Sequence, residues 1–301
     1  MNANVDDKLQ VAFGQPMAVG ECPLWDAAAS LLYWVDIDGF AVHRLDPASG
    51  AHRAWKMDSE PAAIALHAGG GLLVALRSGF VHLDTGSGAL TPIAPAPYDT
   101  RLYRFNDGRA DAAGRFWVGT MYEPRTQAAA EMFCLERGQV RRAWSGGMTV
   151  SNGLAFSPDQ KWMYHADTTS HRIDRYAFDT ATGDVTQAQP FERFDDDKAA
   201  AGYGGRPDGA AVDSEGAYWC AMFEGGRVLR FSPAGELLRE VKLPVRCPTM
   251  VAFGGDDLRT LYITSAGLKR PDAERAQYPL SGKLLALRVD VPGLPEPRYQ
   301  P

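Results

Sequence analysis

The segment 151-SNGLAFSPDQKWMYHAD-167 contains two short apolar runs, LAF and WMY, joined by the turn sequence Ser-Pro-Asp. Runs of this length and composition, bounded by turn-forming residues, predict two antiparallel strands of a hairpin. A small polar residue, Asn152, lies at the head of the first run, which otherwise resembles a core strand. Repetition of the same phrase elsewhere in the chain explains why this position is polar.

The phrase recurs along the chain with a nearly constant period. Six strand centres carry an aromatic or apolar marker, and successive markers are 40, 43, 47, 55 and 43 residues apart. The markers are Trp34, Val74, Trp117, Tyr164, Trp219 and Tyr262. Each unit reads as four short strands, which is typical of a propeller blade, whereas a β-sandwich would show this period only by chance. The sequence therefore predicts an all-β, six-bladed β-propeller with four-stranded antiparallel blades around a central channel, and LQVAF (9–13) is expected to complete the last blade.

Composition narrows the class of protein. The chain has 301 residues, 45% of them hydrophobic, so residues 1–301 are expected to form one domain with a propeller core at about 14–292. A net charge of −6 gives no reason to expect a nucleic-acid partner, and the apolar runs are too short for a membrane helix. Four widely spaced cysteines and the absence of a basic and apolar leader predict reduced thiols and a cytoplasmic location.

Polar residues precede the first strand of most units. In a propeller the first strand of each blade lines the channel, so equivalent positions converge on one axis. The side chains expected at one channel mouth are Glu21, Arg104, Asn106, Asn152 and Asp208. Two carboxylates and a carboxamide oxygen crowded together repel one another and resist desolvation. One divalent cation relieves both effects, and an all-oxygen ligand set favours Ca²⁺, Mg²⁺ or Mn²⁺ while leaving a transition ion such as Zn²⁺ or Fe²⁺ open.

At these positions the sequence resembles the gluconolactonase–regucalcin (senescence marker protein) family, also called sugar lactone lactonases. The matching motifs cover nearly the whole chain: GECPLWD (20–26), RFNDGRADAAGRFWVGTM (104–121), SNGLAFSPD (151–159), PDGAAVDSEGAYW (207–219) and PTMVAFGG (248–255). The resemblance implies a six-bladed propeller that holds one catalytic divalent metal ion in its channel. It also implies hydrolysis of aldonolactones, with relatives that accept other esters.

The resemblance implies a role for each matching residue. The metal ligands correspond to Glu21, Asn152 and Asp208, and Asp208 is also expected to act as the general base. The residues that contact substrate correspond to Arg104 and Asn106, and a further acidic position corresponds to Glu123.

Several residues have a simpler structural interpretation. Asn152 before a glycine suits an Asx turn, and Asp208 in Pro-Asp-Gly suits a β-turn. Asp107 and Asp213 are not equivalent to Asp208, and a structural turn is the expected role of both. The Gly-rich loop 195–207, which contains Tyr203, is a candidate cover for the site or a plain surface loop. The insertions 122–131 and 266–281 are also expected near the mouth.

The predicted function is metal-dependent hydrolysis of a sugar lactone to the aldonic acid. The metal would act as a Lewis acid and Asp208 as general base. The alternatives are an aryl-ester or organophosphate hydrolase that uses the same metal, and a non-catalytic metal-binding propeller. The sequence contains neither a G-x-S-x-G elbow nor a Ser-His-Asp order, so a covalent serine mechanism is not expected. The expected partner is a small sugar lactone, and a monomer or weak homo-oligomer is expected.

Overall fold

The computed structural model describes residues 8–268 and 270–301. Within these ranges the strands form six sheets. Five of them have four strands, and the sixth has a four-stranded antiparallel blade with one further strand. The predicted six-bladed β-propeller is therefore confirmed. No helix in the described part of the chain is long and apolar enough to cross a membrane.

The strands follow one another blade by blade. Blade 1 contains β2 (Gly20–Asp26), β3 (Leu31–Asp36), β4 (Ala41–Leu45) and β5 (His52–Lys56). Blade 2 contains β6 (Pro61–His67), β7 (Leu72–Leu76), β8 (Gly79–Leu83) and β9 (Leu90–Pro95). Blade 3 contains β10 (Tyr103–Ala110), β11 (Phe116–Tyr122), β12 (Glu131–Glu136) and β13 (Gln139–Ser145). The first two strands of blade 4, β14 (Ser151–Phe156) and β15 (Trp162–Asp167), form the hairpin predicted from segment 151–167.

Blade 4 continues with β16 (Arg172–Asp179) and β17 (Asp184–Arg193). Blade 5 contains β18 (Arg206–Val212), β19 (Tyr218–Phe223), β20 (Arg227–Phe231) and β21 (Leu237–Lys242). Blade 6 contains β22 (Pro248–Gly254), β23 (Thr260–Ser265), β24 (Leu284–Arg288) and the N-terminal strand β1 (Leu9–Phe13). The ring closes as predicted, because β1 pairs antiparallel with β24 and opposes Leu9 to Leu287.

The direction of the strands decides which loops surround the site. In each blade the inner strand starts at one end of the channel, which we call the mouth face. The connection between the second and third strands, and the connection to the next blade, both lie at that end because neighbouring strands are antiparallel. The loops between β17 and β18, β11 and β12, and β23 and β24 therefore lie on the mouth face. These are the three segments expected near the mouth.

All six inner strands contain a β-bulge or register irregularity where they pair with the second strand of their blade. A bulge opposes two residues to one and re-aims the side chains around it. The irregularities lie between Glu21 and Leu24, Pro61 and Ala63, Phe105 and Gly108, Asn152 and Ala155, Pro207 and Ala210, and Pro248 and Val251. The predicted site residues of the inner strands thus lie in or next to these bulges.

The core lies between the faces of neighbouring blades. Three tryptophans that marked the repeat, Trp34, Trp117 and Trp219, are fully buried. Two of them are fixed by an aspartate six residues earlier: Asp111 accepts a hydrogen bond from the indole of Trp117, and Asp213 from that of Trp219, each over 2.9 Å. The structural role expected for Asp213 is confirmed, because its carboxylate also accepts backbone hydrogen bonds from the turn that follows β18.

A C-terminal segment crosses the opposite end of the channel. The short strand β25 (Arg298–Tyr299) adds a fifth, parallel strand beside β6, so blade 2 departs from the four-stranded pattern. Glu296 forms a buried salt bridge with Arg109 of β10, with 2.5 Å between Oε1 and Nη1. The end away from the mouth is thereby covered.

Candidate active site at the channel mouth

Glu21 lies at the start of β2, immediately before the bulge. Cys22 has φ 45°, and its backbone N–H donates to Oε2 of Glu21 over 2.9 Å. The side chain is buried, and burial together with the charges of Asp208 and Asp107 raises the pKa of Glu21 well above its ordinary value. Asp208 is therefore near enough to Glu21 for the two carboxylates to repel each other.

Asp208 lies within the bulge of β18 and is also buried. Burial raises the pKa of its carboxyl group well above the ordinary value, and the positive charges of Arg206 and Arg104 only partly oppose this. In the described part of the chain no group donates a hydrogen bond to the Asp208 carboxylate. Asp208 is inside a strand, so the β-turn interpretation of Pro-Asp-Gly is wrong.

Asn152 has both ends of its carboxamide fixed. Its Nδ2 donates to Oγ1 of Thr168 over 2.7 Å, and its Oδ1 accepts from Nδ2 of Asn106 over 3.0 Å. Thr168 in turn donates to the carbonyl of Pro207 over 2.7 Å, which ties blade 4 to the strand that carries Asp208. Asn152 of blade 4 is thus linked by hydrogen bonds to Asn106 of blade 3 and, through Thr168, to Pro207 of blade 5.

The glycine after Asn152 is required by its conformation and by space. Gly153 has φ 61°, a left-handed conformation that L-residues with a side chain rarely adopt. A Cβ at this position would lie 2.3 Å from the Tyr218 hydroxyl, which donates to the Gly153 carbonyl over 2.7 Å. The Asn-Gly pair therefore forms the bulge and not only a turn.

Arg104 and Asn106 extend this network in β10. Nη1 of Arg104 donates to Oδ1 of Asn106 over 2.7 Å and to the Phe105 carbonyl over 2.8 Å. Nδ2 of Asn106 also donates to the Ser151 carbonyl over 2.8 Å. Burial lowers the pKa of Arg104. Arg104, Asn106 and Asn152 thus form one hydrogen-bonded chain.

Glu123 lies further out, on the rim of the mouth. Both of its oxygens accept from the guanidinium of Arg77 over 2.8 Å, and Arg77 also pairs with Glu60 over 2.8 Å. The hydrogen bonds from Arg77 lower the pKa of Glu123, and the charge of Arg104 contributes to the same shift. The structure therefore places Glu123 near Arg104, in an ion-pair network that the sequence did not indicate.

Asp107 is a member of this group that sequence reasoning missed. It was interpreted as a turn residue, but it lies inside β10 at the bulge and is buried. Its Oδ2 accepts from the Leu154 N–H over 2.7 Å, whereas its buried Oδ1 has no partner. Its charge raises the pKa of both Glu21 and Asp208. Asn-Asp-Gly reads as a turn on local grounds, and a residue next to Asn106 in a regular strand would face away from the channel, so no local signal in the sequence indicates this role.

The residues fit a divalent cation. Glu21, Asp107 and Asp208 are three buried acids, and Oδ1 of Asp107 is unpartnered. Two nearby arginines form their ion pairs with other acids and not with these three: Arg206 pairs with Glu224, and Arg109 with Glu296. Among the described residues no three His, Cys, Asp or Glu side chains lie close enough together to form a metal centre by themselves. The predicted ligand set differs from such a group, because it combines two carboxylates with the carboxamide of Asn152. A cation would neutralise the mutual repulsion of these carboxylates.

The loop between β17 and β18 is anchored beside this network. The hydroxyl of Tyr203 lies 2.9 Å from Nε2 of His171, which follows the short 3₁₀ turn Thr168–Ser170. Thr168 of that turn is the hydrogen-bond partner of Asn152.

The four cysteines, which the sequence predicts to be reduced and buried, are all free and buried.

A propeller with an acidic, arginine-containing channel mouth is the class of protein that this fold and site define. Its family follows from comparison with known proteins. The SMP-30/gluconolactonase/LRE-like region matches residues 19–267, and the chain therefore belongs to this family.

Its relatives match over almost their whole length. A 6-deoxy-6-sulfogluconolactonase from Pseudomonas putida is 45% identical over 98% of this chain and 99% of the relative. Regucalcin from Oryctolagus cuniculus is 31% identical over 97% of this chain and 98% of the relative. The crystal structure of a calcium-binding protein, regucalcin, from Agrobacterium tumefaciens is 30% identical, with a TM-score of 0.90 over 96% of each chain.

Proposed function

We propose that this protein hydrolyses a sugar lactone to the corresponding aldonic acid at the channel mouth. The observation that carries the proposal is the buried pair Glu21 and Asp208, which lack a cationic partner and lie beside the hydrogen-bonded chain of Arg104, Asn106 and Asn152. Buried carboxylates without counter-charge cost stability, and such arrangements are kept at functional sites. Membership of the gluconolactonase family supports the same reaction class.

Glu21, Asn152 and Asp208 would hold one divalent cation through oxygen atoms. Bound there, the ion would polarise the lactone carbonyl as a Lewis acid. The all-oxygen set favours Ca²⁺, Mg²⁺ or Mn²⁺. Among the relatives, the Agrobacterium regucalcin is described as calcium-binding, which makes Ca²⁺ the first ion to test.

Asp208 supplies the general base in this proposal. It takes a proton from water as the water oxygen bonds to the carbonyl carbon. When the tetrahedral species collapses, the ring C–O bond breaks and the ring oxygen receives that proton as a hydroxyl group. Burial raises the pKa of Asp208 in the metal-free protein, and a positioned general base of this kind typically contributes about 10²–10⁴-fold to the rate.

Arg104 and Asn106 would orient the sugar. Arg104 has five N–H donors, of which those on Nη1 are used by Phe105 and Asn106, and the rest remain for substrate oxygens. Glu123 accepts from Arg77 through both oxygens, and each oxygen keeps a lone pair for a sugar hydroxyl. A mouth with this many polar groups suits a polyhydroxylated ring better than an apolar triester.

A covalent serine route is disfavoured by burial. Ser151 Oγ lies 2.9 Å from Nε2 of His165, but both side chains are buried, and Ser151 packs against Gly119. Burial lowers the pKa of His165 to about 4. Both residues belong to blade 4 and Ser151 has no exposed surface, so direct attack by water is the mechanism that fits.

The test is hydrolysis of a panel of lactones by metal-stripped protein with each divalent ion added back. Gluconolactone and 6-deoxy-6-sulfogluconolactone head the panel, since the Pseudomonas putida relative is named for the latter. Asp208→Asn should lower kcat by about 10²–10⁴-fold. The control Asp256→Asn, an exposed turn residue at the far end of blade 6, should retain full activity. A rate no higher than spontaneous ring opening with every ion would refute the proposal.

A further inference from the structure

Two loops of the mouth face and the start of strand β18 bring basic side chains to one carboxylate. Glu224 lies between β19 and β20, and three cations from different segments approach it: Lys198, Arg206 and Arg270. The N–O distances are 3.8 Å to Lys198, 3.2 Å to Arg206 and 3.0 Å to Arg270. Arg125, in the loop between β11 and β12, is close enough to affect the ionisation of Lys198. We call these four basic residues the rim cluster.

The rim cluster has more positive charge than its acidic partners neutralise. Glu224 is shared by three cations, and Glu274 pairs with Arg270 over 2.7 Å. Arg125 contacts the Met121 sulfur over 3.2 Å and is not paired with an acid in its described contacts. Together with burial, the positive charges of Arg206, Arg125 and Arg270 lower the pKa of Lys198 despite the opposing charge of Glu224. The four cations of the rim cluster thus outnumber the three acids that interact with them, Glu224, Glu274 and Glu123, although the channel mouth as a whole is acidic.

The guanidinium of Arg206 is positioned by its neighbours and keeps unused hydrogen-bond donors. Its guanidinium carbon lies 5.1 Å from the centre of the Phe223 ring, which fixes the plane of the group. Among the described residues this side chain forms an ion pair with Glu224, and its buried Nε has no hydrogen-bond partner there. A fixed guanidinium with unused donors binds the oxygens of a tetrahedral anion, because several N–H groups can be donated at once.

The rim cluster lies at a suitable distance from the reacting centre. Arg206 and Asp208 are two residues apart in β18, which corresponds to about 7 Å along a strand. The two side chains are therefore close enough for a single six-carbon aldonolactone to contact both, one at its carbonyl carbon and the other at an anionic group on its last carbon.

We propose that the rim cluster binds an anionic sulfonate or phosphate group at the end of the lactone remote from the carbonyl, so that the preferred substrate is an anionic aldonolactone. This inference rests on the proposed lactone hydrolysis at the same mouth. Arg104, Asn106 and Glu123 would hold the hydroxylated ring, and the rim cluster would read its charged end.

The first experiment compares lactones that differ only in the substituent on C6, which is neutral in one and anionic in the other two. Values of kcat/KM are measured for glucono-lactone, 6-deoxy-6-sulfogluconolactone and 6-phosphogluconolactone, with metal-loaded wild type and a Lys198→Gln/Arg125→Gln variant. The ratio of anionic to neutral kcat/KM should exceed one in the wild type. It should fall roughly 5- to 20-fold in the variant, as expected for the loss of one or two partly exposed ion pairs. Preference for sulfonate or phosphate identifies the source of the anion.

The control is Lys161→Gln, which removes a lysine from the turn between β14 and β15 at the far end of the channel. This control should leave the ratio unchanged. If neutral and anionic lactones are both hydrolysed, but the double variant leaves their ratio unchanged, the rim cluster does not bind the substrate anion and the inference is wrong.

A binding measurement separates this inference from the proposed reaction. Calorimetric titration with D-glucitol 6-phosphate and D-glucitol uses ligands that have no lactone to open. Tighter binding of the phosphate by wild type than by the double variant supports the rim cluster even if no lactone is hydrolysed, an outcome that would refute only the proposed function. Equal binding of the phosphate by both proteins would overturn the inference.

Discussion

At the scale of the residue, the site is a group of acids that destabilise the fold in the absence of a cation. Burial and mutual repulsion raise the pKa of Glu21 and Asp208, while Asp107 adds a third buried charge. Such an arrangement costs stability that a purely structural channel would not need to lose. The cost should be measurable, because it depends on pH and on the bound ion.

We predict that Asp208→Asn stabilises the metal-free protein above pH 7. With folded pKa values raised above the unfolded value of about 4, the folded state binds more protons, so stability falls as pH rises through that window. Removing one of these acids should raise the Tm by roughly 2–4 °C at pH 8, and the gain should shrink towards pH 4. Thermal unfolding across this pH range is the measurement.

The comparison between variant and wild type is needed because histidines act in the opposite sense. Burial lowers the pKa of His43 and His165 to about 4, so they increase stability as pH rises from 4 towards 6.5. Both proteins share that contribution, and it cancels in the difference. A Tm for Asp208→Asn that is equal to or below the wild-type value at pH 8 would contradict the prediction.

Gly153 gives a second prediction at this scale. Gly153→Ala places a Cβ 2.3 Å from the Tyr218 hydroxyl and 3.1 Å from the Asp208 carbonyl, in addition to the strain of φ 61°. We expect a loss of about 3 kcal/mol in the free energy of unfolding, together with lower activity, since Asn152 would shift. Urea unfolding provides the stability measurement.

Gly50→Ala is the matched control for this substitution. Gly50 has φ 73°, but a Cβ there would have no heavy atom within 4 Å. It should therefore cost only the conformational strain, about 1 kcal/mol. Equal losses for the two variants would mean that the contact with Tyr218 is unimportant.

At the scale of the element, each blade is held by contacts that the repeat makes visible. Asp213 accepts hydrogen bonds from Glu215 N, Ala217 N and the Trp219 indole, and pairs with Arg230 over 2.7 Å. This aspartate joins the turn after the inner strand to the second and third strands. Asp111 joins the corresponding turn of blade 3 to the second strand, where it binds Arg115 and Trp117.

We predict that Asp213→Ala lowers the free energy of unfolding by about 3 kcal/mol or more, because it leaves a buried indole N–H and much of the Arg230 charge without a partner. The control Asp46→Ala removes an aspartate whose hydrogen bonds within the described residues all lie in its own turn, and it should cost about 1 kcal/mol or less. Denaturant unfolding would decide, and a similar loss for both variants would disprove the role of the buried network.

The register irregularities of the inner strands explain why the sequence predicted some site residues and missed Asp107. The repeat aligned Glu21, Asn106, Asn152 and Asp208 with the heads of inner strands, and the structure brings these positions together. It did not reveal Asp107, because a residue next to Asn106 in a regular strand would face the other way. The irregularity between Phe105 and Gly108 changes that alternation.

At the scale of the whole molecule, closure of the ring depends on the N-terminal strand. β1 supplies the outer strand of blade 6, and Phe13 packs against blade 1, with ring-centre distances of 5.1 Å to Trp34 and 4.4 Å to His52. The first and last blades are therefore joined by residues from both ends of the chain.

We predict that deletion of residues 1–13 lowers the free energy of unfolding by at least about 3 kcal/mol, through loss of the β1–β24 ladder and of Phe13 burial. Deletion of residues 1–7 keeps β1 and is the control. The urea midpoint is the measurement, and equal midpoints for the two deletions would show that β1 does not close the ring.

The sequence by itself determined the six-bladed propeller, its closure by β1 and the family, because strand alternation and the 40–55-residue period are properties of local segments. The tertiary structure alone decided that Glu123 pairs with Arg77, that Asp107 joins the buried acids and that Lys198, Arg206 and Arg270 meet at Glu224. These contacts join different blades and loops, and their geometry is set by bulges and burial. No single segment of the sequence encodes that geometry.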